Sequence, residues 1–358
     1  MIDPHVHLRD WFEDYKETVI HGLNVAYKVG LDGVFEMPNT DPPLTSKRTI
    51  LERIVLADKA ISKLGITMFH GLYAGVTSNE KQIRNVVKVY HDFFPRVVGL
   101  KMYAAHSTGN LGVIDEDSQR KVYRQLASLS YKGVLAVHCE KESLIQHDLW
   151  NPDEPYSHVL ARTIDSELVS VEDQIKFARE ENFEGTLYIC HVSVPETVKR
   201  IHKANRKLSK QKRSLKIVCG VTPHHALLDE VMMLANNGTM LKMNPPLRPR
   251  YMQKQILKHL THGNINWIET DHAPHTLEDK VLGNASGIPG FPFYPHFISY
   301  LTNYLTQEQL AALTHANIEH VFGIKIPTTP RKFDYGLSDE YSFNPYRLFA
   351  FNKDNCEL

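Results

Sequence analysis

Short apolar runs alternate with longer amphipathic stretches along most of this chain. The runs are rich in Val, Ile, Phe and Tyr, which is typical of buried strands, and the stretches repeat apolar residues at helical spacing. The sequence predicts strands over a short segment before His5 and over 33–39, 66–74, 97–103, 133–140, 186–193, 215–225 and 265–275. It predicts helices over 16–30, 46–64, 79–92, 116–130, 165–182, 194–208, 227–236 and 250–260.

This alternation predicts an α/β fold with a parallel sheet. Eight strands, each followed by a helix, match a (β/α)8 TIM barrel better than an open sheet. A doubly wound, nucleotide-binding sheet would show a glycine-rich turn after an early strand, and the sequence has none. We therefore predict a catalytic barrel domain over residues 1–326, followed by a C-terminal tail over 327–358 that packs on the barrel.

The charge and hydrophobicity of the chain argue against some classes of binding partner. The chain has 358 residues, and its 41 basic and 41 acidic side chains give a formal net charge of zero. This balance removes the electrostatic argument for binding nucleic acid or an anionic membrane. No apolar run approaches the roughly 18–20 residues that span a bilayer, and the first residues do not form an export signal.

The four cysteines do not form the pattern of a disulfide framework. Three of them, Cys139, Cys190 and Cys219, lie within apolar strand-like runs of a large chain, whereas disulfide frameworks belong to small, loop-rich chains. We therefore expect a reducing, cytoplasmic location. Strand alternation predicts that Cys139 and Cys190 turn away from the neighbouring histidines and pack in the core.

Polar residues fall at the ends of nearly all the predicted strands. In a barrel the carboxyl ends of the strands open on one face, where functional groups gather. Histidines that were only structural would not follow strand ends, so the sequence predicts one shared site at this face. The residues in question are Asn39, Lys101, His138, His191, His224, His225, Asp271 and His275.

The first strand carries a histidine pair. His5 and His7 are two residues apart, so an extended backbone places both imidazoles on one side, as a metal centre requires. Arg9, just beyond them, suits a substrate carboxylate. An H-x-H pair alone is a weak signal of a metal site in a chain with 20 histidines. The polar residues at the other strand ends are what support the metal interpretation.

The strand ends together offer ligands for two divalent metals. Four histidines and a carboxylate suit zinc, whereas the ammonium of Lys101 would repel a cation. The conflict disappears if CO2 carboxylates Lys101 to an anionic carbamate that bridges two metals; a salt-bridged barrel lysine is the alternative. The predicted ligands are His5, His7, Lys101, His138, His191 and Asp271.

At this point the chain resembles the dihydroorotases of the amidohydrolase superfamily, and their type I branch in particular. The matching segments run in the family's order from residue 2 to about residue 292. They are IDPHVHLRD, GLDGVFEMPNTDPP, VVGLKMY, AVHCE, YICHVS, GVTPHHALL, LKMNPPLRP, ETDHAPHTLEDK and SGIPGFP.

The resemblance implies a role for each matching position. His5, His7 and Asp271 would bind one zinc, His138 and His191 the second, and carboxylated Lys101 would bridge them. The remaining matches are implied to contact the substrate: Arg9, Asn39 and His275 at its carboxylate, Asn244 and Ser286 beside its ring, and Ser107 and Thr108 in a closing loop.

The activity implied by the resemblance is the reversible cyclisation of N-carbamoyl-L-aspartate to L-dihydroorotate in pyrimidine biosynthesis. Asp271 would act as the base and then as the acid in this reaction. The family also implies two Zn²⁺ ions per chain, a homodimer and association with aspartate transcarbamoylase. Type I members carry a small β-sandwich built partly from residues before the histidine pair, and we expect that N-terminal half to be missing here.

Two other functions stay open. A cyclic-ureide hydrolase of the allantoinase or hydantoinase type would use the same metal ligands, but Arg9, Asn39 and His275 favour an acidic pyrimidine precursor. A non-catalytic barrel that serves as a scaffold for aspartate transcarbamoylase is the second alternative. Lost ligands would signal a scaffold, and all six are present.

Overall fold

The structure is a computed structural model that describes residues 1–106 and 111–348. Its parallel strands follow one another around a nearly closed barrel in chain order. They are β1 (Ile2–Val6), β2 (Gly33–Glu36), β3 (Phe69–Gly75), β4 (Val97–Tyr103), β5 (Val134–His138), β6 (Thr186–Ile189), β7 (Lys216–Val221) and β8 (Trp267–Ile268). A parallel bridge between Val6 and His272 brings the end of the barrel back to its beginning, so the predicted (β/α)8 fold is confirmed.

Helices cover the outside of the strands and continue after β8. They are α1 (Val19–Lys28), α2 (Lys47–Leu64), α3 (Glu80–Phe93), α4 (Glu116–Ser128), α5 (Ser157–Ala161), α6 (Ile164–Glu180), α7 (Pro195–Lys210), α8 (Pro223–Leu227), α9 (Arg250–Thr261), α10 (Leu277–Val281), α11 (Tyr294–Leu301), α12 (Gln307–Ala311), α13 (Asn317–Phe322) and α14 (Pro345–Leu348). None of the helices in the described ranges is both long and apolar enough to cross a membrane.

Seven of the eight predicted helices are present, and the prediction over 227–236 is wrong. α8 ends at Leu227, and a 3-10 helix follows over Glu230–Leu234. The carboxylate of Asp229 accepts a hydrogen bond from the backbone N–H of Val231 and so starts this separate turn. Val231 and Leu234 are exposed, so the apolar spacing did not mark a buried helix face.

Two irregularities in strand pairing decide which side chains enter the barrel. Between Asp3 and Val6, β1 has one residue more than the paired segment of β2. Between Val97 and Gly99, β4 has one residue more than the paired segment of β3. An extra residue shifts the alternation of side chains by one position. The later residues of both strands therefore point their polar side chains into the barrel.

The other end of the barrel is closed by an aromatic core. Phe322 of α13 places its ring 5.0 Å from the ring of Phe35 and 5.9 Å from that of Trp267. These residues are buried together with Tyr73 and Tyr188 inside the strands. Because this end is filled, the carboxyl ends of the strands form the accessible face.

The described residues after 326 lie against the barrel. The backbone N–H of Thr329 donates to Asp32 at 3.0 Å, and the hydroxyl of Tyr341 donates to Glu17 at 2.6 Å. The ring of Tyr346 stacks on that of Phe293 at 3.9 Å. The boundary between barrel and tail at residue 326 stays a prediction.

Candidate active site

A pocket opens at the carboxyl ends of the strands and gathers most of the predicted residues. It is lined by His5, His7, Arg9, Asn39, Lys101, Tyr103, His138, His191, Met243, Asn244, Asp271, Ala273, Ser286 and Gly287. His275 lies directly beside Arg9. The predicted loop residues Ser107 and Thr108 lie outside the described residues.

His5, His7 and Asp271 form one compact ligand group. The Nε2 atoms of the two histidines are 3.3 Å apart, and Oδ1 of Asp271 lies 3.3 Å from His5 and 2.9 Å from His7. Burial holds the pKa of His5 well below its usual value, so its imidazole is neutral. Two imidazole nitrogens and a carboxylate oxygen that converge in this way fit a zinc ion.

His138 and His191 form a second pair. Nδ1 of His138 lies 3.2 Å from Nε2 of His191, and Nε2 of His138 lies 2.8 Å from the carboxylate of Glu140. A carboxylate at Nε2 places the hydrogen there, so Nδ1 keeps its lone pair for a ligand. The rings of His5 and His191 are 5.1 Å apart, which links the two groups.

An unusual backbone conformation aims two of these side chains. Asp271 and His191 have φ values of +48° and +35°, in the left-handed region that costs a non-glycine residue roughly 1–3 kcal/mol. Tyr188 and Cys190 of the same strand segment pack inside the barrel. Regular alternation would therefore direct His191 outwards, and the left-handed turn brings its imidazole to His138 instead.

Lys101 lies fully buried between the ligand groups. Its Nζ donates to Sγ of Cys190 at 3.1 Å and lies 4.9 Å from the ring centre of Tyr103. Within the described ranges no carboxylate forms an ion pair with it, so the salt-bridged alternative has no support. The prediction that Cys190 turns away from the site is wrong because of the turn at His191, whereas Cys139 packs in the outer core.

Arg9 supplies the positive charge of the pocket. Its Nε donates to the carbonyl of Pro274 at 3.1 Å, its Nη2 lies 3.2 Å from Nε2 of His275, and Glu13 lies 3.7 Å away. Burial, and then the charge of Arg9, lower the pKa of His275, so this imidazole stays neutral. The guanidinium is thus held at the pocket by neutral groups, with one carboxylate at longer range.

Asn39 contacts the metal-ligand group as well as the pocket. Its Oδ1 lies 2.7 Å from Nδ1 of His7 and accepts a hydrogen bond from the hydroxyl of Tyr103 at 2.9 Å. An acceptor at Nδ1 leaves Nε2 of His7 free to face Asp271. Asn39 therefore orients His7, in addition to any contact that it makes with a substrate.

Two buried lysines shape the wall that contains Ser286. Lys280 Nζ donates to the carbonyls of Lys242, Ala285 and Gly287 at 2.8, 2.9 and 3.0 Å. Nζ of Lys242, whose pKa burial lowers to about 8, donates to Oγ of Ser286 at 2.8 Å. Gly287 has a φ of +139°, and a Cβ there would lie 2.7 Å from the carbonyl of Ala273. These contacts fix the backbone that borders the pocket.

Asn244 faces the pocket with an unused acceptor. Its Oδ1 is buried and has no hydrogen-bond partner in the part of the chain that the structure describes. A buried, unpaired acceptor costs about 1–3 kcal/mol. A bound ligand with an N–H group would satisfy it.

Some residues stand apart from the pattern of strand ends. His224 and His225 do not line the pocket; they lie beside Tyr346 and the carbonyl of Pro245. Sequence reasoning missed the bond of Tyr103 to Asn39 and that of Lys280 to the carbonyl of Lys242, because in each the partner is distant in sequence. The segment YICHVS contains a signal for one more polar contact inside the barrel, because Tyr188, an aromatic residue with a hydroxyl group, precedes His191 there. Its hydroxyl donates to the buried carboxylate of Glu269.

Known proteins were compared with the chain in three ways. No family model matches it. Curated proteins named dihydroorotase from Archaeoglobus fulgidus and Methanosphaera stadtmanae are each 29% identical, over 90% of this chain and 72% and 70% of theirs. A dihydroorotase from Pediococcus pentosaceus is 32% identical over 78% of this chain and 61% of its own length.

Solved structures agree on the fold. The L-hydantoinase from Arthrobacter aurescens has a TM-score of 0.77 at 22% identity, covering 94% of this chain and 73% of its own. The D-hydantoinase from a Thermus species has a TM-score of 0.72 at 21% identity, covering 93% and 73%. These likenesses describe the fold that the chain shares with the hydantoinases. The curated relatives are named dihydroorotase, so the resemblance predicted from the motifs is confirmed.

Proposed function

We propose that this chain is a dihydroorotase, which interconverts N-carbamoyl-L-aspartate and L-dihydroorotate. The observation that carries the proposal is Arg9, a buried guanidinium beside neutral His275 in the pocket of the ligand groups. Arginine binds carboxylates through two parallel hydrogen bonds. Dihydroorotate carries such a carboxylate on its ring, whereas hydantoin and dihydrouracil do not.

The proposal includes two zinc ions. His5, His7 and Asp271 would hold one, His138 and His191 the other, and a carbamate on Lys101 would bridge them. The support is the convergence of imidazoles and a carboxylate, with a buried lysine in the same pocket. When bound, the ions supply Lewis acidity and make water a stronger nucleophile at neutral pH.

The side chains of the pocket do the remaining work. In hydrolysis water adds to the ring amide carbon, and Asp271 takes a proton from that water and delivers it to the leaving ring nitrogen as the C–N bond breaks. In the biosynthetic direction the same steps run backwards, and ring closure releases water.

Other residues of the pocket would orient the substrate. Arg9, His275 and the amide of Asn39 would hold the carboxylate. Oδ1 of Asn244, which lacks a partner among the described residues, would accept from a ring N–H, and the backbone at Ser286 would border the ring.

The alternatives make different predictions. The hydantoinase neighbours are less than 25% identical to the chain, so their likeness describes the fold and not the substrate. A non-catalytic scaffold would need no ligand groups, yet these groups converge in the pocket.

The test uses the purified chain loaded with zinc. We expect it to close carbamoyl-aspartate to dihydroorotate, and we expect the rate to disappear after chelation and to return when zinc is added. A zinc-loaded, folded chain without this activity in either direction would contradict the proposal.

A further inference from the structure

A buried carboxylate that the proposed reaction does not use lies between the two ligand groups. Glu269 follows β8, is fully buried, and has one oxygen, Oε2, that accepts hydrogen bonds from Tyr188 and, at 2.8 Å, from the indole of Trp267. Space for it exists because residue 220 is glycine: a Cβ there would overlap the carboxylate. The barrel interior is thus built to contain this group.

Glu269 faces the first ligand group through His5. Oε1 of Glu269 lies 3.6 Å and the oxygen of Tyr188 3.5 Å from Nδ1 of His5. Both contacts are longer than an ordinary hydrogen bond, so Glu269 and Tyr188 pack against the Nδ1 edge of the imidazole. This packing directs the opposite edge, with Nε2, toward His7 and Asp271.

Glu269 also contacts the second group, through the backbone. Oε1 accepts the N–H of His191, the residue whose left-handed turn directs its imidazole to His138. A carboxylate acceptor forms a strong hydrogen bond to a backbone N–H. This bond stabilises a conformation that would otherwise be unfavourable.

We propose that Glu269 is a positioning residue for both ligand groups, because it packs against the Nδ1 edge of His5 and holds the turn at His191. The inference rests on the proposed metal centre and is independent of the identity of the substrate. It predicts that Glu269 controls metal affinity without touching the metal or the substrate.

The experiment measures zinc affinity by competition with a chromophoric chelator, together with the visible absorption of the Co²⁺-loaded protein. Glu269→Gln is nearly isosteric. The N–H₂ group of the new amide, however, would face N–H or O–H donors at a position where the carboxylate accepts hydrogen bonds. We expect zinc to bind about 10–100-fold more weakly, and we expect the Co²⁺ absorption to change in intensity.

Glu319→Gln is the matched control. Glu319 is also buried, accepts the backbone N–H of Ile326 and pairs with Lys325 near the closed end of the barrel. Its variant should lose some stability but keep the zinc affinity and the Co²⁺ spectrum of the wild type. A metal effect specific to Glu269→Gln would therefore separate positioning from general destabilisation.

A folded Glu269→Gln variant with wild-type zinc affinity would overturn this inference but not the proposed metal centre. A wild-type chain that binds no zinc would overturn the proposed metal centre as well. If Glu269→Gln does not fold, Gly220→Ala serves instead, since the added methyl would overlap the Glu269 side chain and displace it. We expect the same weakening of zinc binding, and an unchanged affinity in this variant would equally overturn the inference.

Discussion

At the scale of single residues, Asp271 combines a left-handed backbone, with φ of +48°, and a carboxylate that reaches both imidazoles of the first group. Glycine would adopt this backbone more easily, so the strain accompanies a side chain that the site needs. Strained residues of this kind concentrate at functional sites.

Asp271→Asn keeps the shape of the side chain and an oxygen donor but removes the base. We expect zinc content near that of the wild type and a kcat lower by about 10²–10⁴-fold, the usual contribution of a positioned acid–base group. Steady-state kinetics with metal analysis check both. Turnover at the wild-type rate would show that the proton moves by another route.

The proposed carboxylation of Lys101 can be tested by detecting the carbamate itself. The side chain is fully buried and has no carboxylate partner within the described ranges, whereas a carbamate on Nζ would be anionic and able to bridge cations. We expect zinc-loaded protein prepared in ¹³C-bicarbonate to show one carbamate carbon resonance, absent in Lys101→Arg. A spectrum without that resonance would contradict the carboxylated lysine.

At the scale of elements, the wall over residues 284–287 depends on a lysine that is buried rather than exposed. Lys280 satisfies three carbonyls at once, and a buried carbonyl that loses its donor costs free energy. The wall is therefore fixed by an interaction from α10, which begins with a capping box at Thr276.

Lys280→Met should lower the free energy of unfolding by at least about 2 kcal/mol. Because the wall borders the proposed ring site, KM for dihydroorotate should rise more than kcat falls. Denaturant unfolding and steady-state kinetics measure these effects, and Lys258→Met, at an exposed position of α9, is the control. Equal KM values in both variants would contradict a role of the wall in binding.

The tail is tied to the barrel by a buried carboxylate. Burial alone would raise the pKa of Glu17, but His272 beside it and hydrogen bonds from His21 and Tyr341 lower it from 4.5 to about 2. A lowered carboxylate pKa stabilises the folded chain above the unfolded pKa, and the stabilisation disappears as the pH falls through the folded one. The window therefore runs from pH 4.5 down to about 2.

Glu17→Gln removes this titration. Across this window the unfolding free energy of the wild type should fall by about 3 kcal/mol more than that of the variant. The difference between the two free energies should therefore shrink as the pH falls. Urea unfolding at pH 7, 4.5 and 3 measures the difference. Parallel pH curves for the two proteins would show that Glu17 does not stabilise the tail through its charge.

At the scale of the whole molecule, the periods of hydrophobicity were enough to predict the barrel. Buried strands and one-sided helices each impose a regular pattern, and the strand ends follow from the fold. The convergence of the histidines and Asp271 could be predicted because all of them follow strand ends, which meet on one face of a barrel.

The remaining features depend on irregular geometry or distant partners. The direction of His191 depends on its left-handed turn, and the 3-10 helix after α8 depends on the Asp229 cap. The environment of Glu269 combines His5, Tyr188 and Trp267, which come from three parts of the chain. Periodicity carries no information about such contacts, so the structure was needed to find them.

The central claim is that the pocket hydrolyses a ring that carries a carboxylate, and one comparison tests it most directly. The measurement is kcat/KM of the zinc-loaded chain for L-dihydroorotate and for dihydrouracil, which lacks the carboxylate, in the wild type and in Arg9→Met. We expect the wild type to prefer dihydroorotate strongly and Arg9→Met to lose most of that preference, since a hydrogen-bonded charge pair contributes about 2–5 kcal/mol. Equal rates on both rings, or an Arg9→Met variant with undiminished preference for dihydroorotate, would contradict the account.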